Sequence, residues 1–280
     1  MCKINPRVDF AFKKLFGTEE NKDILIGLIN SIVSEQDKVT DLTLRNPYNP
    51  KDFGRDKLSI LDIKAQDTNG KWFNIEMQII DQEYFAQRAL YYWARLYTGQ
   101  LNSGVNYDTL KKTIGINILN FNCLDEKEYH NVYRLKNIEN GNEFLGHQEI
   151  HFIELGKYDE RLSTLLDRWV NFIKRAERYE KENLPPELRD IPTIQKAMEV
   201  LETMNFSEHE REIYEARLKW LRDEEMAIIT AEKRGREEGR EEGIKIAASL
   251  IKGESVDNIS KELGVPVERI NEIRKQLGLE

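Results

Sequence analysis

Cysteine is scarce in this 280-residue chain. Cys2 and Cys123 are the two it has, and neither belongs to a CxxC or Cys/His spacing, so neither a disulfide framework nor a structural zinc site is supported. Histidine is nearly as rare, with four residues. His147 and His151 stand four apart but have no third ligand in view and read as ordinary surface or core side chains. Long apolar runs are missing too: the longest extends from Ile24 to Ile29, against the roughly 18 residues a spanning helix needs. With no signal-peptide h-region at the N-terminus, the expectation is a soluble, cytoplasmic protein without a membrane partner. GxSxG and P-loop phrases are also lacking. So is an excess of basic charge: 42 Lys and Arg against 50 Asp and Glu give a net charge of −8, which argues against coating nucleic acid through bulk electrostatics. The acidity is uneven. Residues 1–124 hold 16 basic and 15 acidic side chains, so the first half is the better candidate for contact with nucleic acid.

What is present is a chain with 40% hydrophobic and 33% charged residues, enough for one core of about 150 to 180 residues with a helical remainder. Apolar side chains recur at helical spacing over Asn5–Gly17 and Glu20–Val33, and at a period of two over Val39–Leu44, Leu58–Ala65 and Trp72–Ile80. Asp81 is placed to cap a long helix through Leu101. Strands are expected again at Thr113–Phe121, Tyr129–Leu135 and Glu149–Leu155. The order α-α-β-β-β-α-β-β-β predicts an α/β core, a mixed sheet flanked by helices. Residues 1–157 are read as this domain.

Beyond Tyr158 the pattern is helical. Residues 158–243 read as a helical extension, with helices over Arg161–Tyr179, Ile194–Met204 and from Glu208 onward, broken at Pro185-Pro186. Gly235, Gly239 and Gly243, each followed by Arg-Glu-Glu or the end of that repeat, lie along one side of a helix at a cost near 1 kcal/mol each relative to Ala. They mark either a solvated charged helix or close approach to a partner helix, the latter implying a homodimer. Residues 244–280 read as a small helix-turn-helix-like bundle with turns at Gly253 and Gly264-Val265-Pro266. Its candidate second helix, Val267–Leu277, mixes acidic with basic residues, so a structural bundle and a DNA reader both remain open.

The chemistry centres on two strand carboxylates, Asp62 and Glu76, since charge in a strand centre is expensive to bury without a partner. Their relation depends on the turn. A two-residue Asn69-Gly70 loop sets Asp62 opposite Met77 and sends Glu76 to the other face. A three-residue loop, Thr68-Asn69-Gly70, with Gly70 left-handed, sets Asp62 opposite Glu76, with Lys64, Asn74 and Gln78 on the same face. Only this second register builds a site. Facing carboxylates there would share a proton, a lysine or a divalent cation, and the oxygen donors suit Mg²⁺ or Mn²⁺. On the following helix, Arg88, Tyr92 and Arg95 share a face able to lie along a DNA phosphate backbone. The alternative is that Tyr91, Tyr92, Trp93 and Tyr97 pack the sheet and leave the arginines to snorkel outward.

A helix, an Asp on one hairpin strand, Glu-x-Gln on the next and a further helix together resemble the core of the PD-(D/E)XK nuclease superfamily. More narrowly, the similarity is to its recombination-promoting nuclease and transposase family. It is carried by Asp9-Phe-Ala-Phe12-Lys13 with Phe16-Gly17, Ile60-Leu-Asp62, Asn69-Gly70 with Ile75-Glu76-Met-Gln78, Arg88 with Tyr91-Tyr92, and the later glycine repeats. It covers roughly residues 5–125 as the catalytic core. The resemblance implies a restriction-endonuclease-like fold, Asp62 and Glu76 as metal-binding carboxylates, and Gln78 where the superfamily commonly has lysine. It also implies that Asp9 matches an N-terminal acidic position. Glutamine can orient a water but brings no positive charge, which Lys64 could lend. The implied reaction is Mg²⁺-dependent hydrolysis of DNA phosphodiesters. A different class, a DNA-binding or assembly protein on a degenerate nuclease fold, stays open beside it, as does an inhibitor-like interaction protein.

Overall fold

The computed structural model describes residues 4–46, 63–81, 83–101 and 103–279. It divides into two compact units, Met1–Leu221 and Arg222–Glu280. In the first, helix α1 (Asp9–Phe16) and helix α2 (Lys22–Ile32) precede strands β1 (Leu42–Leu44), β2 (Ile63–Asp67) and β3 (Trp72–Gln78). Helix α3 (Phe85–Thr98) leads to β4 (Thr113–Leu119), β5 (His130–Tyr133) and β6 (Gln148–Glu154). The described strands form one sheet in the order β1-β2-β3-β4-β6-β5. β3, β4 and β6 run parallel at its centre, while the pairs at both edges are antiparallel. This is the expected element order and a mixed, helix-flanked sheet of the restriction-endonuclease-like kind.

Alternation along β3 sorts its side chains. Phe73, Ile75 and Met77 join Ile114, Ile116 and Ile118 of β4 in the main core, against Phe12, Leu15 and Phe16 of α1 and Ile24, Leu25, Leu28 and Ile29 of α2. The opposite face is covered by α3, whose Phe85 and Ala89 bury against Leu119, Phe121, Ile150 and Phe152. Helix α1 is apolar on both sides because it is buried on both sides. Val8, Phe10 and Ala11 form a second cluster with Ile79 and with Tyr214, Leu218 and Leu221 from the start of helix α7 (Glu208–Ile251).

Helices α4 (Leu165–Arg175), α5 (Pro186–Arg189) and α6 (Pro192–Thr203) were expected in a helical extension, yet they share the main core with the sheet. Trp169 of α4 is fully buried and lies 5.9 Å, ring to ring, from both Phe16 and Phe172. Gly27 of α2 lets these helices approach. A Cβ there would stand 2.8 Å from Thr193 Oγ1 and 3.2 Å from the Trp169 ring. The second unit has its own core, Ile246 and Leu250 of α7 with Ile259 of α8 (Val256–Leu263) and Val265 and Ile270 around α9 (Val267–Gln276). Ser255 caps α8, and Gly264 ends it in the left-handed conformation. The glycine triplet lies within continuous α7, with open space where each Cβ would be.

Two boundaries differ from expectation in a physically informative way. Asp81 does not cap α3, because the chain leaves β3 at Gln78 and turns before the helix starts; the cap position is Tyr84, left-handed at φ 69°. β1 is also shorter than Val39–Leu44, since Asn30 of α2 takes both the N–H and the carbonyl of Val39 (2.7 and 2.8 Å) and removes them from the sheet.

Trp169→Ala empties the largest side chain of this junction. It should lower the unfolding free energy by about 3–5 kcal/mol, read from the urea midpoint at unchanged slope.

Candidate active site

The β2–β3 hairpin has the longer of the two turns the sequence allowed. Asp67 N–H donates to Lys71 O (2.9 Å), Gly70 N–H donates to Asp67 O (3.0 Å), and Gly70 sits at φ 85°, so Thr68-Asn69-Gly70 form a three-residue loop. Asp67 Oδ1 also accepts from the N–H groups of Asn69 (2.9 Å) and Lys71 (2.7 Å), fixing the turn from inside. The resulting register pairs Gln66 with Trp72, Lys64 with Asn74 and Ile63 with Ile75. Asp62 lies outside the described residues.

On β3, Asn74, Glu76 and Gln78 alternate onto the α3 side of the sheet, next to Gly115, Asn117 and Leu119 of β4. Glu76 is buried, with a side chain 12% exposed. Its partner comes from α3. Arg88 Nη2 donates to Glu76 Oε1 at 2.6 Å and to Gln78 Oε1 at 2.8 Å. Gln78 Nε2 donates in turn to Ile80 O (3.2 Å), which orients its amide. The guanidinium lies over the Phe85 ring (4.7 Å) and near that of Tyr92 (5.9 Å), one on either side along the helix. Arg88 therefore faces the sheet and does not snorkel outward. Arg95 is exposed and lies over Tyr91, which is itself exposed. Trp93 and Tyr97 do pack inward, the indole N–H donating to Thr113 O (2.8 Å) and the phenol meeting His147 Nδ1 (3.1 Å).

Asn74 Oδ1 is buried and has no hydrogen-bond partner among the described residues. The Lys64 backbone N–H donates to Asn46 Oδ1 (2.6 Å), which ties β2 to the segment following β1. Asp9 is buried at the start of α1. Its Oδ1 accepts from Phe10 N–H (2.8 Å), and its Oδ2 pairs with Arg217 Nη1 of α7 at 2.5 Å. Burial pushes the Asp9 carboxyl up against the opposing pull of Arg217. Among the described residues no three His, Cys, Asp or Glu side chains are grouped to hold a metal. The donors present at the site, the Glu76 carboxylate and the Gln78 amide oxygen, are hard oxygens of the type Mg²⁺ and Mn²⁺ prefer.

A second polar cluster escaped sequence reasoning. On the sheet face away from α3, Glu149 Oε1 accepts from His151 Nε2 (2.7 Å), and His151 Nδ1 meets His130 Nε2 of β5 at 2.9 Å. Lys112 and Arg134 both reach Glu149 Oε2 at 2.7 Å, and Lys112 also reaches Asp37 at 2.7 Å. Hydrogen bonds and charge from His151 and Lys112 hold the Glu149 carboxyl down to about 2 despite its burial. Burial, reinforced by His151, lowers His130 to about 4. The relevant signal was the alternation of Glu149 and His151 on one strand. His147 and His151 are not brought together, as expected of ordinary side chains: His147 precedes β6 and meets Tyr97 of α3, while His151 lies on the other face of the sheet.

A family model described as PD-(D/E)XK nuclease family transposase matches residues 6–231. The chain belongs to that family, as the hairpin and its flanking helices had led one to expect. No curated protein matches the chain. No solved structure matches it. No helix among the described residues is long and apolar enough to cross a membrane.

The histidine pair sets a pH dependence. His130 titrates near 4 when folded and near 6.5 when unfolded, so between these values the unfolded chain binds more protons and stability rises with pH. Its contribution is complete above about 6.5 and lost as pH falls through 4; that of Glu149 follows between 4.5 and about 2. The thermal midpoint should therefore fall on acidification from pH 7 to 4, and His130→Phe should flatten that fall.

Proposed function

We propose that this member of the PD-(D/E)XK nuclease family transposases is a divalent-metal-dependent DNA endonuclease acting in recombination or on transposon-like elements. Asp62 and Glu76 are the carboxylates that hold the cation, Mg²⁺ or Mn²⁺. The observation that carries this reading is the hairpin register: Ile63, directly after Asp62 in sequence, pairs with Ile75, directly before Glu76. A bound cation would supply Lewis-acid stabilisation of the phosphate and a more acidic water. Gln78, its amide fixed by Ile80 O, orients that water. Lys64, across the hairpin from Asn74, contributes positive charge. Arg88 and Tyr92 meet the DNA backbone. Asp9, whose pair with Arg217 ties α1 to α7, is the N-terminal acidic member of the site.

A second reading, a DNA-binding or assembly protein with little turnover, is favoured by one observation. Glu76 and Gln78 are both engaged by Arg88, an arrangement that is complete without a cation. Plasmid nicking at low salt with Mg²⁺, Mn²⁺ or EDTA separates the two. Under the first reading wild type nicks DNA only with metal, and Asp62→Ala or Glu76→Ala each reduces the rate by at least about 10²-fold. DNA binding without metal-dependent nicking establishes the second.

We also propose homodimerisation through the C-terminal helical part, with Gly235, Gly239 and Gly243 at the contact, where open space surrounds each. Gly239→Leu should then shift sedimentation equilibrium toward monomer while raising helix content, since leucine is the better helix former.

A further inference from the structure

Resting on the nuclease reading, we infer that Arg88 supplies from α3 the positive charge that neither Glu76 nor Gln78 can offer a phosphate, and that its guanidinium meets the scissile group itself. Hydrolysis adds one water across the phosphodiester. A water O–P bond forms, the P–O bond to the leaving sugar oxygen breaks, and the water's protons end on the new phosphate monoester and the leaving hydroxyl. On the way, negative charge builds on the non-bridging oxygens, where a fixed cation is worth most. Strand β3 offers an anion and a neutral amide. The cation the structure sets between them is Arg88, 2.6 Å from Glu76 Oε1 and 2.8 Å from Gln78 Oε1.

Three features suit Arg88 for that role beyond neutralising Glu76. Its guanidinium, whose Nη2 bonds Glu76 and Gln78, is a planar fork that carries five N–H donors and matches phosphate geometry. The guanidinium lies over the Phe85 ring at 4.7 Å and that of Tyr92 at 5.9 Å, contacts that help to orient it before substrate arrives. The side chain is 21% exposed where that of Glu76 is 12% exposed, so Arg88 is the more accessible member of the pair. Tyr92, besides meeting the DNA backbone, positions Arg88 through this ring contact.

The test uses the full chain and two readouts. In single-turnover cleavage of a duplex, Arg88→Gln should lose about 10²-fold or more, the cost of one oxyanion donor. Adding Gln78→Lys in the same chain should recover at least tenfold by placing a cation on the strand. Without metal, in EDTA, the slope of log affinity for the duplex against log salt should become shallower by about one for Arg88→Gln, as for loss of one phosphate contact. Because an unpaired Glu76 would strain the fold, the slope is also compared between Glu76→Gln and Glu76→Gln/Arg88→Gln, where no buried charge is stranded. Cleavage by Arg88→Gln within about twofold of wild type overturns the inference. So does an unchanged salt slope, which would confine Arg88 to holding Glu76, and so does a double variant no faster than Arg88→Gln alone. If wild type shows no metal-dependent cleavage at all, the nuclease reading falls, and the slope alone then decides whether Arg88 meets phosphate.

Discussion

A carboxylate in the middle of a sheet, between a helix and the neighbouring strand, is the constraint around which this fold is arranged. Glu76 sits on β3 with Asn117 of parallel β4 beside it, and it could not stay charged there without a counter-ion. Among the described residues the counter-ion comes from helix α3, which covers this face. That fixes the helix in rotation. With Arg88 turned toward Glu76, Phe85 and Ala89 are carried onto Leu119, Ile150 and Phe152, while Tyr91 and Arg95 are left outside. The ion pair and the apolar contact of α3 thus specify the same orientation. Removing one partner would leave a buried charge, which costs several kcal/mol, whereas the intact pair adds little net stability. Its value lies in specifying the geometry of β3 against α3.

The opposite face is arranged by different means. There the core is apolar and continuous, from α1 and α2 through the sheet to α4 and α6. α1 is closed off on its outer side by Tyr214, Leu218 and Leu221 of α7. The pairing of Asp9 with Arg217, and of Lys14 with Glu210 at 2.9 Å, adds charge complementarity along that contact. This explains why the N-terminal helix is nearly devoid of an exposed polar face; the family match, over residues 6–231, includes this part of α7. Helices α4, α5 and α6 thus complete the core of the first unit more than they extend it.

Much of this was legible in the sequence because it depended on local rules. Period-two and helical spacings gave the element order, and Asn69-Gly70 gave the hairpin. The loop length, on which the site's register turned, is a matter of one glycine at positive φ and one aspartate, Asp67, that satisfies the turn's N–H groups. What was not legible depended on direction in space. The spacing of Arg88, Tyr92 and Arg95 shows that they share a stripe of helix. It does not say how that stripe divides between sheet and solvent, and in the fold Arg88 falls on one side of the division and Arg95 on the other. The link between His130 and His151 was hidden for the same reason, since β5 and β6 pair across an intervening segment whose register no sequence rule fixes.

The two polar clusters differ in a way that bears on function. Around Glu149 every charge is met by protein: Lys112 and Arg134 share one oxygen, His151 takes the other, and His130 completes the chain. The carboxyl is correspondingly held at about 2, and the cluster serves to stitch β4, β5 and β6 to Asp37 after α2. Around Glu76 one arginine is divided between a carboxylate and an amide that need not share it, and Asn74 Oδ1 alongside is buried without a described partner. A buried polar group left in that state is costly unless something else satisfies it. The Glu149 cluster is met by protein on both oxygens, whereas beside Glu76, on the strand pair whose register the turn controls, the Asn74 oxygen is left for a further donor to meet.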